Sequence, residues 1–251
     1  MILEKDVFTE RRLDQLKYNP DLLGTEQWGK YCYVPLDIPK YEYPELVDWY
    51  FSEAKPIYKL KPDIANSKYG MTNFDSVDVF LTGKVEDHIW TTVNPQQNFL
   101  TLFPELVERL YKEFPLKSID RLNIWSSNRD VPYHRDHTSC VDYPSGFRIM
   151  LYDSNPIQTL GLAERIPDQP NEELFYKFLI PKLPDTNSFV WNNLRTQHGS
   201  FFIQGFRKII LIIDKYELDI NRYHDLMERS IKKYQNNLMI SKKLLSDFVH
   251  T

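Results

Sequence analysis

IDRLNIWSS (119–127), PYHRDHTS (132–139), GFRIMLYD (146–153), QTLGLAERI (158–166), ELFYKFLI (173–180), NSFVWNN (187–193) and GFRKIILIID (205–214) follow one another along the chain. Each is a short run rich in β-branched, aliphatic or aromatic residues, and polar turn residues separate them. Strands this short, with no helical pattern between them, imply an antiparallel barrel or sandwich rather than parallel βαβ units.

Outward from this stretch the texture changes. YPELVDWYFSEA, from Tyr43, puts Leu46, Val47, Tyr50, Phe51 and Ala54 on one helical face, with Pro44 suited to a first turn. FPELVERLYKEF, from Phe103, does the same with Leu106, Val107, Leu110 and Phe114, and Pro115 stops it. Between them, Lys55 to Asn98 is irregular and reads as loops with short strands that could fold over a site. From Asp219 onward Ile220, Tyr223, Leu226, Met227, Ile231, Tyr234 and Leu238 fall at helical spacing. The expectation is one domain over 1–251: a helical and loop buttress at 1–117, a β core at 118–214 and a helical extension at 215–251.

Composition narrows the function classes. The chain has 251 residues, 42% hydrophobic and 26% charged, with a net charge of −4. That is a globular composition without broad attraction to nucleic acid or an anionic membrane. Sixteen tyrosines and fifteen phenylalanines against eight glycines favour aromatic cores over glycine-rich nucleotide loops, and no GxGxxG, GxxxxGK or repeat occurs. With only Cys32 and Cys140, a disulfide scaffold is not expected. MILEKDVFTERR lacks signal-peptide order, and the longest apolar run is the short IILII at 209–213, so a cytoplasmic protein without a membrane span is expected.

The chemistry concentrates in YHRDH, residues 133–137. On a strand, the period of two turns His134 and Asp136 to one face and Arg135 to the other. One imidazole and one carboxylate then face a common point, and a distant histidine would complete a two-histidine, one-carboxylate triad of the kind that leaves positions free on non-haem iron(II). His198, in RTQHGSFF, is the candidate. Those free positions suit the keto-acid end of 2-oxoglutarate and dioxygen, and the far carboxylate needs a cation. Arg207, nine residues on and grouped by alternation with Ile209, Leu211 and Ile213, is the first choice, because a guanidinium on an apolar strand calls for an anion.

YHRDH, GFRIMLYD, FVWNN, TQHGS and FRKIILIID together resemble the 2-oxoglutarate/iron(II) oxygenase superfamily, most closely its aspartyl/asparaginyl β-hydroxylase-like branch, which includes free-proline hydroxylases. The likeness covers roughly Leu122 to Asp214. It implies a mainly β fold with flanking helices, the double-stranded β-helix or cupin-like jelly roll. It implies iron(II) at His134, Asp136 and His198, and 2-oxoglutarate anchored by Arg207 with help from Arg148 on the strand after the first histidine. The reaction implied is hydroxylation of an amino-acid or peptidyl side chain by dioxygen, with release of succinate and carbon dioxide. Animal aspartyl hydroxylases of this branch lack the carboxylate ligand that Asp136 would supply here, so their substrate does not transfer directly.

Plainer readings stand beside this one. His134 and Asp136 could be a cross-strand hydrogen-bonded pair, and His134, His137 and Cys140 have a spacing that could hold zinc if a fourth ligand were near. Arg207 and Arg148 could pair with structural carboxylates. Trp125 and Trp191 are expected to fill the core, and Lys232-Lys233 to be a solvated helix face. At the level of function the alternatives are a non-catalytic jelly-roll module and a nucleic-acid base oxygenase, the latter requiring a basic groove.

Overall fold

The computed structural model describes residues 28, 30–54, 58–60, 74–81, 90–92, 99–127, 130–134, 145–165, 175–192 and 196–240. Strand β1 (Tyr31–Pro35) leads into helix α1 (Pro44–Trp49), which continues as a π-helical turn over Tyr50–Ala54. Strands β2 (Tyr58–Leu60), β3 (Phe74–Phe80) and β4 (Trp90–Thr92) precede helices α2 (Phe99–Leu102) and α3 (Pro104–Glu113). Then come β5 (Leu116–Ser127), β6 (Val131–His134), β7 (Ser145–Asp153), β8 (Leu160–Arg165), β9 (Phe175–Leu179), β10 (Ser188–Asn192), β11 (Gln197–Ser200) and β12 (Lys208–Leu218). Helix α4 (Ile220–Lys233), a 3-10 turn at Gln235–Asn237 and β13 (Met239–Ile240) follow.

These strands make a seven-stranded sheet, in the order β13-β1-β10-β7-β12-β5-β3, and a four-stranded sheet, β6-β11-β8-β9, with β2-β4 as a separate pair. Every pairing is antiparallel. The seven quoted runs are β5 to β10 and β12. The large sheet also takes in β3 from the stretch read as loops with short strands, and β1 and β13 from segments where no strand was expected. YCYVP suits this place because four of its five residues are buried, leaving neither face polar.

Alternation sorts the large sheet's side chains into two apolar layers. Tyr33, Trp125, Phe189, Trp191 and Ile210 meet Leu160 and Leu162 of the small sheet, so the two sheets face one another as a jelly roll. On the other face, Phe147, Ile209, Leu211 and Ile213 are covered by Leu46 of α1, Leu106 and Leu110 of α3 and Leu226 of α4. The helices therefore buttress one sheet from outside, which is what their apolar stripes require.

Local chemistry sets the helix ends. Pro44 and Pro104 open α1 and α3 in the first turn, where no backbone N–H is lost. The Asp219 carboxylate caps α4 by accepting from the Arg222 N–H at 3.2 Å. Lys232 and Lys233 lie in its last turn, matching the dipole. Lys233 is no bystander: it reaches Asp37 and Asp185, each at 2.8 Å. No described helix is long and apolar enough to cross a membrane.

Candidate active site

The site begins at β11. His198 stands directly opposite His134 of β6 in the ladder and opposite Leu162 of β8 on its other side. Leu162 belongs to the layer between the sheets, and His198, 6% exposed, points into the same layer. Its imidazole stacks on Trp191 of β10, with ring centres 4.7 Å apart and planes 27° apart. The Arg148 guanidinium also lies over that indole, 4.1 Å from its centre. Arg148 can curl back over Trp191 because Gly146, the cross-strand partner of Trp191, has no Cβ; one placed there would collide with the guanidinium. Imidazole and guanidinium thus both pack on one indole inside the roll.

Two residues beyond His198, Ser200 occupies the same face of β11. Its hydroxyl accepts a hydrogen bond from the Lys208 ammonium, which also donates to Thr159 Oγ1 at 3.1 Å. Lys208 is 3% exposed. Burial pulls its amine down from 10.5 to about 8, against the opposing pull of Asp153. A buried cation held by two neutral hydroxyls is poised for an anion, and two residues of strand put it roughly 7 Å from His198 along β11.

Behind the small sheet, Tyr133 packs on its outer face. The ring lies over Gly199, where an added Cβ would come within 3.0 Å of it, and its hydroxyl lies over Gly161. The two glycines are cross-strand partners, so together they leave a flat bed that lets β6 approach β11. Burial raises the Tyr133 phenol above its ordinary value.

The sequence-derived set is placed unevenly. His198 and Arg148 lie inside the roll, and position 134 faces 198 across the ladder. Asp136, His137 and Cys140 fall outside the described residues, and among the described residues no three His, Cys, Asp or Glu side chains converge on one point. Arg207 does not enter the roll. It shares a face with Ile209, Leu211 and Ile213 as alternation requires, but that is the outer, helix-covered face. There its exposed guanidinium lies 4.6 Å from the centre of the Phe51 ring. Of these two adjacent cations, Lys208 is the one that enters. Sequence reasoning missed Lys208, Ser200 and Thr159, and took Trp191 for core filling alone. The signal for Lys208 was its place beside Arg207 at the head of the same apolar strand. Opposite parity makes the two residues alternatives.

No protein-family model matches the chain, and no curated protein matches it. Among solved structures it is similar to a prolyl hydroxylase from Trichoplax adhaerens in complex with a hypoxia inducible factor peptide fragment, at 10% identity and a TM-score of 0.40, covering 88% of this chain and 97% of that one. It is also similar to a Pseudomonas putida prolyl-4-hydroxylase, at 10% identity and a TM-score of 0.39, covering 82% and 97%. A third is the alpha ketoglutarate dependent epimerase SnoN, at 14% identity and a TM-score of 0.39, covering 86% and 87%. Likenesses this distant do not assign an activity, which has to come from the side chains described above.

Proposed function

We propose that the protein is an iron(II) and 2-oxoglutarate dependent oxygenase, and that Lys208 rather than Arg207 anchors the cosubstrate. One observation carries the reading: a buried histidine opposite a second histidine position, with a buried ammonium from the facing sheet bonded to Ser200, two residues along the same strand face. The donor set fits the metal, since directly opposed ladder positions share a sheet face and imidazole is a suitable iron ligand. His134, His198 and, two residues beyond His134, Asp136 would hold the ion. When bound, iron(II) supplies activation of dioxygen coupled to oxidative decarboxylation of 2-oxoglutarate.

The chain's own residues account for the rest. Lys208, Ser200 and Thr159 receive the distal carboxylate, exchanging two neutral partners for a charge-assisted one. Arg148 and Trp191 back the imidazole of His198, so the ring enters the site pre-oriented. The apolar layer of Leu160, Leu162 and Ile210 keeps bulk water away from the carboxylate and strengthens its pairing with the ammonium. A small amino acid or a peptidyl side chain is the proposed class of substrate.

The test is succinate release from 2-oxoglutarate with iron(II) over a panel of free amino acids and peptides. His134→Ala, Asp136→Ala and His198→Ala should each abolish turnover and weaken iron or manganese binding. Loss of metal on His137→Ala, with His134→Ala harmless, would move the site to the zinc-like arrangement and end this assignment.

A further inference from the structure

A second cavity, independent of the oxygenase reading, lies where β7 and β10 leave the large sheet at the end remote from Gly146 and Trp191. This cleft measures about 770 Å³, within the roughly 300–1,000 Å³ usual for small-molecule sites. Tyr43, Val47 and Phe51 line it, as do Leu151, Tyr152 and Phe189. Asp153 is seven residues along β7 from Gly146, or roughly 23 Å of strand, while Phe189 of the lining packs on Trp191 with ring centres 5.8 Å apart.

Six charged side chains border the cleft: Lys40, Glu42, Asp48, Asp153, Lys182 and Arg207. Four of them pair off, Lys40 with Glu42 at 3.1 Å and Lys182 with Asp153 at 2.9 Å. Asp48 and Arg207 remain. They have opposite sign, and among the described residues neither forms an ion pair, even with the other. Asp48 is three residues before Phe51 in the same helical stretch, and the Arg207 guanidinium lies over the Phe51 ring, 4.6 Å from its centre. The Arg207 backbone is pinned, its N–H donating to Ser154 Oγ at 2.8 Å and its carbonyl accepting from the Ser154 N–H at 2.9 Å. Ser188, 1% exposed, also lines the cleft, and among the described residues its Oγ has no hydrogen-bond partner.

A guanidinium resting on an aromatic ring, a carboxylate of opposite sign lining the same cleft but not paired with it, and a buried hydroxyl left over suit one kind of molecule. We propose that this cleft binds a zwitterionic amino acid with an apolar or aromatic side chain. Its carboxylate takes the fork of Arg207, its ammonium faces Asp48, and its side chain packs among Tyr43, Val47 and Phe51. A simple anion or cation would leave one of the two charges unmatched.

The experiment is calorimetric or ligand-observed magnetic-resonance titration with L-phenylalanine, 3-phenylpropionate and 2-phenylethylamine, which differ only in carrying both charges or one. L-Phenylalanine should bind about tenfold or more tightly than either of the others. Arg207→Gln should bring L-phenylalanine down to the level of phenylethylamine, and Asp48→Asn to that of phenylpropionate, both variants being exposed changes that leave the fold intact. Equal binding of the three probes, no binding of L-phenylalanine at millimolar concentration, or unchanged affinity in both variants would overturn the proposal. Because no iron or 2-oxoglutarate is present in the titration, its failure leaves the oxygenase reading untouched, and the reverse holds equally.

Discussion

Arg207 and Lys208 are adjacent cations at the head of one strand, and the two faces of that strand send them to opposite sides of a sheet. Replacing Lys208 with Met removes the ammonium while keeping the apolar stem. The 2-oxoglutarate affinity should fall by about 2–5 kcal/mol, the cost of a buried carboxylate without its partner, with iron binding little changed. Arg207→Ala should leave 2-oxoglutarate affinity within about twofold, because its guanidinium lies outside the roll. Isothermal titration of both variants decides the matter, and the reverse ranking would return the anchor to Arg207. The sequence could group Arg207 with Ile209, Leu211 and Ile213, yet it could not say which face was inside. Both faces of this strand are apolar, one meeting the helices and the other the small sheet, so parity was legible and direction was not. Trp191 is a similar case: its burial was readable from the sequence, while its stack on His198 depends on how β10 of the large sheet faces β11 of the small one, which no local pattern encodes.

At the scale of elements, the strands that carry strong apolar runs could be read directly, and β11 could not. QHGS offers no β-branched or aliphatic residue, and it becomes a strand because β6 and β8 flank it on both sides. Its glycine matters for the same reason. The Gly199 Cβ position lies 2.9 Å from the Val131 carbonyl oxygen and 3.0 Å from the Tyr133 ring, so Gly199→Ala must push β6 away from β11. A loss of about 1–3 kcal/mol is expected, as for other overpacked sites, together with weaker metal binding, because the two histidine positions lie on the strands being separated. At Gly161 the atom in the way is the Tyr133 hydroxyl, the far end of one side chain. Gly161→Ala should therefore be rescued by Tyr133→Phe, and a double-mutant cycle on chemical denaturation should show that coupling. Additive effects of the two changes would mean that Tyr133 does not rest on this bed. Helices α1, α3 and α4 were readable because their apolar stripes are continuous, and so was their position outside the sheet. What they cover, the face bearing Arg207, only the assembled sheets reveal.

For the whole molecule, the buried ammonium couples stability to pH. In the ligand-free protein the Lys208 amine titrates near 8 against 10.5 in the unfolded chain. Below about 8 both states hold the proton, and the folded state bears the full cost of the buried charge. Between about 8 and 10.5 the folded state has released a proton that the unfolded state still binds, so stability rises with pH, by at most about 1.4 kcal/mol per unit for one group. Tyr33 and Tyr41 act in the other direction. Burial raises both phenols above their ordinary value of 10, so above that pH the unfolded state loses protons the folded state keeps, and stability falls. The ligand-free protein should therefore gain stability from about pH 8 toward 10 and lose it beyond. Saturating 2-oxoglutarate with manganese should flatten the first limb, because a carboxylate beside the ammonium keeps it protonated in the folded state as it is in the unfolded chain, and the extra stability given by the ligand should shrink as pH climbs through 8. Thermal unfolding of wild type and Lys208→Met at half-unit steps from pH 7 to pH 10, with and without ligand, reads these slopes. Parallel curves for the two proteins across that window would show that Lys208 carries no buried charge and would remove the cation on which the cosubstrate assignment depends.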